Sequence, residues 1–313
     1  MRRLTTIDEV RREVAGHRAA GRRVALVPTM GFLHAGHHSL VRLAAERADV
    51  VVVSIFVNPT QFGPGEDLEA YPRDLAGDEA GLAALGDAAP TYTFVPSVDE
   101  MYPRPGVTTV SVRGLTDRLC GARRPGHFDG VATVVSKLHN IVQPDIAVYG
   151  RKDYQQLQVI RRVVADLDQP IDVVGGPIVR EPDGLAMSSR NTYLDEDDRR
   201  AATVLSRALR HAVLTAREAR DDARPVTPGM IEEAVRVTIG AQPRARLDYV
   251  EVLEPSTLAP PDERRGEGRE IATGDAPLLV AVAAHVGPAR LIDNVEIGDL
   301  DDEERLLAAT QGH

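Results

Sequence analysis

Two apolar runs that flank a helical segment constrain the fold more than any other feature of this sequence. The first covers residues 23–28, and the second, residues 49–57, is an almost unbroken series of β-branched side chains. Such a series is typical of a central parallel strand that is covered on both faces. Between the runs, a helix that follows Gly36 carries its apolar residues on one side. Together these segments predict a βαβ unit, whose ligand binds beyond the carboxyl ends of its strands.

The alternation of strands and helices continues through the first half of the chain. Further strands are predicted at residues 92–96, 145–150 and 171–174, and an edge strand at residues 107–112. This order is typical of an α/β domain with a doubly wound, Rossmann-like parallel sheet. Helical segments and then three strand-like runs follow Pro177, which indicates a smaller α+β C-terminal domain. We therefore predict two domains, residues 1–178 and residues 179–313.

The composition narrows the function classes. The chain has 313 residues, enough for two domains, and a net charge of −10 with acidic and basic residues interspersed. That charge argues against a nucleic-acid-binding surface, which needs a basic field. Cys120 is the single cysteine, so an intrachain disulfide is impossible and a cytoplasmic location is expected. We expect no signal peptide and no membrane association, because no apolar stretch reaches the ~18–20 residues of a membrane span.

Two histidines mark the junction between the first strand and its helix. His34 and His37 lie three residues apart where the helix begins, between Gly31 and the first apolar turn. Residues at this spacing share one helical face, and a helix N-terminus attracts anions such as phosphate. A zinc pair is a second interpretation, which the lack of a cysteine or carboxylate at ligand spacing disfavours. Helix-start residues without a ligand are a third, but the convergence of two histidines, two glycines and a buried strand favours phosphate.

A second strand ends in residues 150–153 (Gly-Arg-Lys-Asp), at the same predicted sheet edge as the two histidines. Lysine is rare in this chain, because Lys137 and Lys152 are the only lysines among 37 basic residues. A lysine retained in this background is one that the bulkier arginine fork would not replace. Chance is the alternative explanation for the lysine. For Asp153 the alternative is a capping box with Gln156.

Polar groups in three loops have both a structural and a functional interpretation. Residues 187–191 (Met-Ser-Ser-Arg-Asn) are either a polar interdomain loop or a mobile cover that donates hydrogen bonds to a triphosphate. Gln61, after the second strand, is either a turn residue or a ligand of a hydroxyl-bearing substrate. Arg124 and His127 lie in a Gly-rich loop, where solvation is the default and contact with a substrate or phosphate is the less common outcome.

Six ordered blocks resemble the pantoate–β-alanine ligase (pantothenate synthetase) family of the His-x-Gly-His nucleotidyltransferase superfamily. The blocks are residues 28–37 (PTMGFLHAGH), 54–63 (SIFVNPTQFG), 71–73 (YPR), 124–131 (RPGHFDGV), 150–156 (GRKDYQQ) and 187–191 (MSSRN). Residues 289–294 (ARLIDN) also resemble the closing strand of that family. His-x-Gly-His alone is a weak signal, whereas six blocks in the family's order are a specific one.

The resemblance implies a two-step ligation that uses ATP and Mg²⁺. The carboxylate of (R)-pantoate attacks the α-phosphate of ATP to give pantoyl adenylate and pyrophosphate, and the amine of β-alanine then displaces AMP to give pantothenate. The implied catalytic residues are His34, His37 and Lys152. The implied ATP contacts are Met30, Gly31, Phe32, Leu33, His34, Ala35, Gly36, His37, Gly150, Arg151, Lys152, Asp153, Val179, Met187, Ser188, Ser189 and Arg190. The implied pantoate and β-alanine contacts are Met30, Asn58, Gln61, Arg124, His127 and Gln156. The family also implies a homodimer and a C-terminal domain that acts as a lid.

Some positions depart from the family pattern. Ala35 and Arg151 stand where the family usually has glutamate, which changes the local charge. Asp78 matches an acidic residue near the family's magnesium, although its neighbours on both sides differ from the pattern. The loop at residues 260–270 is longer than the family pattern predicts and has no assigned role.

Two other functions stay open at this point. A different nucleotidyltransferase would use the same ATP site on another acceptor, although Gln61 and Gln156 favour a small hydroxy acid. A non-catalytic nucleotide sensor would have lost its charged and imidazole groups, whereas His34, His37 and Arg190 are all present. The ligase is therefore the leading prediction.

Overall fold

The computed structural model describes residues 1–104, 106–261 and 276–309. These residues form two compact units, of which the first ends at Gly176 and the second begins at Pro177. The predicted domain boundary, after residue 178, lies close to this division. The predicted loop at residues 260–270 falls outside the described residues from 262 onward. Within the described residues, no helix is both long and apolar enough to cross a membrane.

The first unit is built on a sheet of six parallel strands within the described residues. The strands are β1 (Arg2–Leu4), β2 (Val24–Thr29), β3 (Val50–Ile55), β4 (Tyr92–Phe94), β5 (Ile146–Gly150) and β6 (Asp172–Gly176). They lie in the order β1-β4-β3-β2-β5-β6, and every neighbouring pair is parallel. The predicted doubly wound α/β fold is therefore confirmed. The sequence pattern does not predict β1, which is too short to show an alternation.

Helices connect these strands. They are α1 (Ile7–Ala19), α2 (Ala35–Ala45), α3 (Leu75–Ala83), α4 (Val98–Met101), α5 (Leu119–Arg123), α6 (His127–Val142) and α7 (Tyr154–Asp166). A capping box of Thr6 and Glu9 starts α1. The predicted edge strand at residues 107–112 is wrong, since this described segment contains no strand. The N–H of Val110 donates instead to the side chain of Thr133 at 3.0 Å.

β2 lies at the point where the strand order reverses. The chain continues from β2 to β3 on one side, whereas β5 lies on the other. Pairing with β3 extends to Thr29 and Ile55, but the last pair with β5 is Leu26 and Ala147. The β2–β5 ladder thus ends before the carboxyl ends of the two strands. In open α/β sheets ligands bind at such a reversal, so the loops after β2 and β5 are the expected walls of a site.

The second unit combines helices with a sheet of three antiparallel strands within the described residues. Its elements are α8 (Glu196–Ala202), α9 (Val204–Asp221), α10 (Pro228–Gly240), β7 (Ala245–Leu253), β8 (Leu278–Val286), β9 (Ala289–Ile297) and α11 (Leu300–Ala309). The apolar faces of α9 and α10 pack on the sheet to form its core. This arrangement confirms the predicted α+β class of the second half.

An almost completely buried ion pair anchors the beginning of the second unit. Arg180 donates to both carboxylate oxygens of Asp293 in β9, with N–O distances of 2.7 Å and 3.0 Å. The two side chains are 6% and 1% exposed. Arg180 also donates to the carbonyl of Gly184 at 3.1 Å, and its backbone forms an isolated bridge with Ala186. The pair therefore holds the segment that leads to residues 187–190 against β9.

Asp293→Ala should lower the free energy of unfolding by about 3–5 kcal/mol, because it leaves the Arg180 guanidinium buried without its charge partner. Urea denaturation followed by circular dichroism measures the change. Asp166→Ala breaks the exposed pair with Arg162 and is the control, with an expected loss below about 1 kcal/mol. Equal losses in the two variants would contradict the anchoring role of the buried pair.

Candidate functional site

The loop between β2 and α2 has backbone angles that few residue types adopt readily. Gly31 and Phe32 both adopt positive φ angles, of 85° and 52°. This left-handed region is unfavourable for a side chain as large as that of Phe32. The carboxylate of Asp78, which is 4% exposed, accepts the N–H of Phe32 at 2.9 Å and the N–H of Leu33 at 2.6 Å. These bonds hold the loop that leads into α2.

His34 and His37 cap α2 with their own rings. His34 occupies the N-cap position, where its Nδ1 accepts the N–H of Gly36 at 3.2 Å. His37 Nδ1 accepts the N–H of His34 at 3.3 Å, which completes a capping box. Because a backbone N–H can only donate, each neutral ring carries its proton on Nε2. The ring centroids are 4.1 Å apart, so the pair offers two N–H donors at the positive end of a helix.

Its surroundings keep His37 neutral. Burial lowers the pKa of His37 well below its ordinary value, and electrostatic interactions with His34 and Lys152 lower it further. Lys152 therefore lies close enough to act on His37, although it follows a different strand. A neutral imidazole beside a lysine can bind an anion as a hydrogen-bond donor while the lysine supplies the charge.

The loop after β5 forms the second wall. Gly150 ends this strand, and a 3₁₀ turn of residues 151–153 separates it from α7. Arg151 and Lys152 are half-buried. Asp153 is exposed and makes no side-chain bond at the N-cap of α7, so the capping-box interpretation is wrong. Gln156, the third residue of α7, is half-buried.

A buried polar network holds Gln61 at the end of β3. Asn58 is 0% exposed and donates to Gln61 Oε1 and to the carbonyl of Gly130, each at 3.2 Å. Its own Oδ1 accepts the hydroxyl of Tyr102 at 2.9 Å. Gln61 Nε2 lies 3.0 Å from Met30 Sδ, which brings together two residues predicted to face one substrate. Asn58 is fully buried and orients Gln61, and its predicted direct contact with the substrate stays a prediction.

Arg124 and His127 face each other and the turn that carries Gln61. Arg124 donates to Glu66 through N–O contacts of 2.7 Å and 2.5 Å, and to His127 Nε2 at 3.0 Å. His127 Nδ1 lies 2.8 Å from the carbonyl of Gln61, which only accepts, so Nδ1 carries the proton. Contact of these two residues with substrate stays a prediction. Their polar groups are used to support the turn of Gln61.

The second unit gathers its predicted ATP contacts in one short hairpin. The carbonyl of Val179 accepts the N–H of Met187 at 3.0 Å. Ser188 caps a 3₁₀ turn, and its Oγ accepts the N–H of Arg190 at 3.3 Å. Ser189 is 8% exposed, and Arg190 is half-buried. The sequence block at residues 187–191 thus forms an ordered turn within this unit.

The hydrogen bonds of Asp78 do not fit its predicted role near a magnesium ion. Both oxygens of this carboxylate already accept backbone N–H groups, and burial raises its pKa above the ordinary value. Within the described residues, no group of three or more His, Cys, Asp or Glu side chains is placed to hold a metal ion. A magnesium ion at this site would depend on the phosphates of its ligand.

Sequence reasoning did not identify the residues whose hydrogen bonds hold the site residues and the nearby loops in place. Glu66 and Tyr102 hold Arg124 and Asn58, as described above. Gln155, which is 5% exposed, donates through Nε2 to the carbonyls of Leu115 and Arg118 at 2.8 Å and fixes the loop before α5. Glu66 and Tyr102 belong to none of the six sequence blocks, and only the contacts of these side chains in the folded protein show what they do.

Departures from the resemblance lie at accessible positions. Ala35 is exposed in the first turn of α2, directly between the two histidines. It replaces a negative charge with a methyl group at the positive end of the helix. The helix start therefore keeps more of its positive potential for an anionic ligand.

The chain matches known pantoate–β-alanine ligases along almost its whole length. The family model for pantoate–β-alanine ligase matches residues 2–296. A pantothenate synthetase of Pseudomonas aeruginosa (strain UCBPP-PA14) is 48% identical over 299 residues, which cover 95% of this chain and 99% of that protein. A pantothenate synthetase of Sinorhizobium medicae (strain WSM419) is 52% identical over 295 residues, which cover 94% of this chain and 95% of that protein.

Solved structures give the same result. A crystal structure of pantothenate synthetase from Thermus thermophilus has a TM-score of 0.82 and 45% identity, and the match covers 95% of this chain and 99% of that one. A pantoate–β-alanine ligase from Francisella tularensis, complexed with β-γ ATP and β-alanine, has a TM-score of 0.69 and 30% identity. That match covers 94% of this chain and 97% of the Francisella chain.

Gly130→Ala should lower the free energy of unfolding by about 1–3 kcal/mol through overpacking. A Cβ at Gly130 would lie 2.3 Å from the carbonyl oxygen of Thr60 and 2.7 Å from Gln61 Cα, so backbone would have to move. Gly16→Ala in α1, where a Cβ meets no atom within 4 Å, is the control and should raise stability by about 0.5–1 kcal/mol. Urea denaturation compares the two. An increase in stability for Gly130→Ala would contradict the close contact between α6 and the turn at residues 60–61.

Stability should fall as the pH decreases from 6.5 towards 4, in part because of His127. Burial and the neighbouring charge of Arg124 lower the pKa of His127 from 6.5 to about 4 in the folded protein. In this window the unfolded chain binds a proton that the folded chain does not, so acidification favours unfolding. His127→Gln should flatten the dependence in urea titrations at several pH values. His211→Gln, at an exposed residue of the second unit, controls for the loss of a histidine. An unchanged slope in His127→Gln would contradict the assignment.

Proposed function

This chain belongs to the pantoate–β-alanine ligase family, and we propose that it joins (R)-pantoate to β-alanine with ATP, releasing AMP and pyrophosphate. One observation carries the proposal. His34 and His37 follow β2 and Lys152 follows β5, the two neighbouring strands at which the strand order of the parallel sheet reverses. Two oriented N–H donors and one mobile cation are the groups that a transferring phosphoryl centre requires.

The reaction has two steps, and neither needs a covalent bond to the protein. In the first, a carboxylate oxygen of pantoate bonds to the α-phosphorus while the bond from that phosphorus to the bridging oxygen breaks and pyrophosphate leaves. In the second, the amine nitrogen of β-alanine bonds to the acyl carbon, the carbon–oxygen bond to AMP breaks, and the amine loses a proton. Such transfers depend on positioning and on electrostatic stabilisation of the developing charge.

The capped histidines suit the first step. With Nδ1 committed to the backbone, each ring directs its Nε2 proton away from the helix start. His34 and His37 would donate to oxygens of the α-phosphate, and these bonds strengthen as negative charge builds up in the transition state. Lys152, a flexible point charge, would follow the departing pyrophosphate.

The remaining nucleotide contacts are assigned by the family resemblance. Ser188, Ser189 and Arg190 would bind the triphosphate, and the hairpin at Val179 and Met187 keeps this turn ordered within its unit. Asp153 and the backbone at Val179 would contact the ribose and adenine. The missing capping bond of Asp153 supports this assignment, because its carboxylate is exposed and not used by α7. In this proposal the second unit acts as a lid.

Pantoate would bind beside Met30, Gln61 and Gln156. Gln61 is already oriented through Asn58, so its amide can bond to a hydroxyl without first losing rotational freedom. Arg124, His127 and Asn58 would act through Gln61 and not through direct contact. In this proposal the donors and acceptors for a small hydroxy acid come from the segments that follow β2, β3 and β5.

The proposal includes a homodimer in the cytoplasm and Mg²⁺ as the counter-ion of the ATP phosphates. The single cysteine supports the location, since the chain cannot form an internal disulfide. The dimer is supported by the family resemblance, and sedimentation velocity of the purified chain tests it. Mg²⁺ would arrive on the nucleotide, because Asp78 does not fit the part of its ligand.

The purified chain should form AMP over repeated turnovers only when ATP, pantoate and β-alanine are all present, and should exchange labelled pyrophosphate into ATP when pantoate is present and β-alanine is left out. His37→Ala should slow this exchange by roughly 10²–10³, the loss that follows removal of one transition-state donor. Exchange without β-alanine isolates the first step, on which the histidines act.

His38→Gln is the matched control for this variant. His38 neighbours His37 on α2, but a Cβ at Gly81 of α3 would lie 3.0 Å from its Nε2, so its ring faces α3. His38→Gln should keep most of the exchange activity. Binding of ATP without AMP formation in the unaltered chain would overturn the proposed function. Unaltered exchange in His37→Ala would show that this histidine only caps the helix.

A further inference from the structure

We propose that Asp78 is a positioning residue, whose carboxylate holds the Gly31–Leu33 loop so that His34 and His37 begin α2 at the correct place. The inference rests on the proposed function, because it concerns the alignment of that reaction. It replaces the magnesium role that the sequence resemblance implies for the same side chain.

The geometry is that of a two-point clasp. Oδ2 accepts the N–H of Phe32 at 2.9 Å, and Oδ1 accepts the N–H of Leu33 at 2.6 Å. Successive backbone N–H groups in a turn can form an anion-binding concavity, and here they belong to a loop in which Gly31 and Phe32 have positive φ angles. In this protein the anion in the concavity is the protein's own carboxylate. The amides of Phe32 and Leu33, which the sequence assigned to ATP, therefore bind Asp78.

The loop needs these two hydrogen bonds because its backbone conformation is unfavourable without them. Phe32 holds a φ of 52°, which a residue with a large side chain rarely adopts. A buried carboxylate that accepts two N–H groups stabilises this conformation through charge-assisted hydrogen bonds. Released from the clasp, Phe32 would return to an ordinary conformation and move the N-cap residue His34, which is two positions further on.

Two glycines let the carboxylate reach the loop. A Cβ at Gly31 would lie 3.0 Å from Asp78 Oδ2 and 3.1 Å from a methyl carbon of Ile55, so no side chain fits there. Gly81, one turn after Asp78 on α3, leaves room for the ring of His38 on α2. The ring of His38 on α2 therefore contacts α3 one turn after Asp78, on the helix that brings the Asp78 carboxylate to the loop.

The discriminating variant is Asp78→Asn, which keeps the size of the side chain but turns one acceptor into a donor that faces a backbone N–H. In pantoate-dependent pyrophosphate exchange, kcat should fall by ~10- to 100-fold, as a displacement of about 1 Å produces, while KM for ATP changes far less. The Mg²⁺ concentration for half-maximal rate should stay unchanged. Residue-resolved hydrogen exchange should show faster exchange at Phe32 and Leu33 and unchanged exchange in β3 and β5.

Glu79→Gln is the matched control. Glu79 is the next residue on α3 and also carries one negative charge, but it bonds to Arg3 and Thr93 instead of the loop. It should keep the unaltered kcat and loop exchange. A kcat in Asp78→Asn equal to that of Glu79→Gln, with unaltered loop exchange, would overturn the proposal. Recovery of Asp78→Asn at raised Mg²⁺ would also overturn it, because that result identifies a metal ligand.

Measurements on the unaltered, ligand-free chain decide the matter if Asp78→Asn does not fold. Slow exchange of the Phe32 and Leu33 amides supports the clasp, whereas exchange as fast as in an open loop overturns it. A chain that is inactive with pantoate would overturn the proposed function. The two amides would still report whether Asp78 holds the loop, so the failures are distinguishable.

Discussion

The unpaired N–H groups at the start of α2 are the constraint on which this site depends. Every helix leaves such groups without intrahelical partners, and short polar side chains usually satisfy them. Here two imidazoles do so, each through Nδ1. The capping bonds therefore fix ring orientation and tautomer together, and both remaining donors belong to one helix end. The same two bonds that stabilise the helix orient the two rings that we propose bind the ATP phosphates.

A layer of buried polar contacts lies behind this helix start. Asp78 holds the loop before α2, Asn58 orients Gln61, and the Arg124–Glu66 pair supports the turn after β3. Each of these groups is hydrogen-bonded and partly or wholly removed from water, where an unpaired polar atom is costly. Together they let a few accessible side chains keep defined positions, because the supporting groups have little freedom to move.

The sequence predicted the elements whose signal is local. The β-branched run of β3 and the capping residues of α1 fix their own conformation, so the βαβ unit and its ligand-binding edge could be inferred. The residues that each side chain contacts in the folded protein could not be inferred. Arg124 and Asn58 carry polar groups that could bind a substrate. The residue type alone does not show that Glu66 already binds Arg124 and that Tyr102 already binds Asn58. Residues 107–112 alternate like a strand, yet their backbone partner is a side chain, which no alternation encodes.

The buried Arg180–Asp293 pair has a consequence for the order in which the chain is made. Its members are 113 residues apart, and Asp293 lies in the last strand of the second unit. A chain emerging from the ribosome can complete the first unit, with its capped histidines, long before Asp293 exists. Until that strand is made, the hairpin that carries residues 187–190 contains the Arg180 guanidinium without its charge partner. In a nascent chain, the nucleotide contacts proposed for the first unit would therefore be ordered before those proposed at residues 187–190.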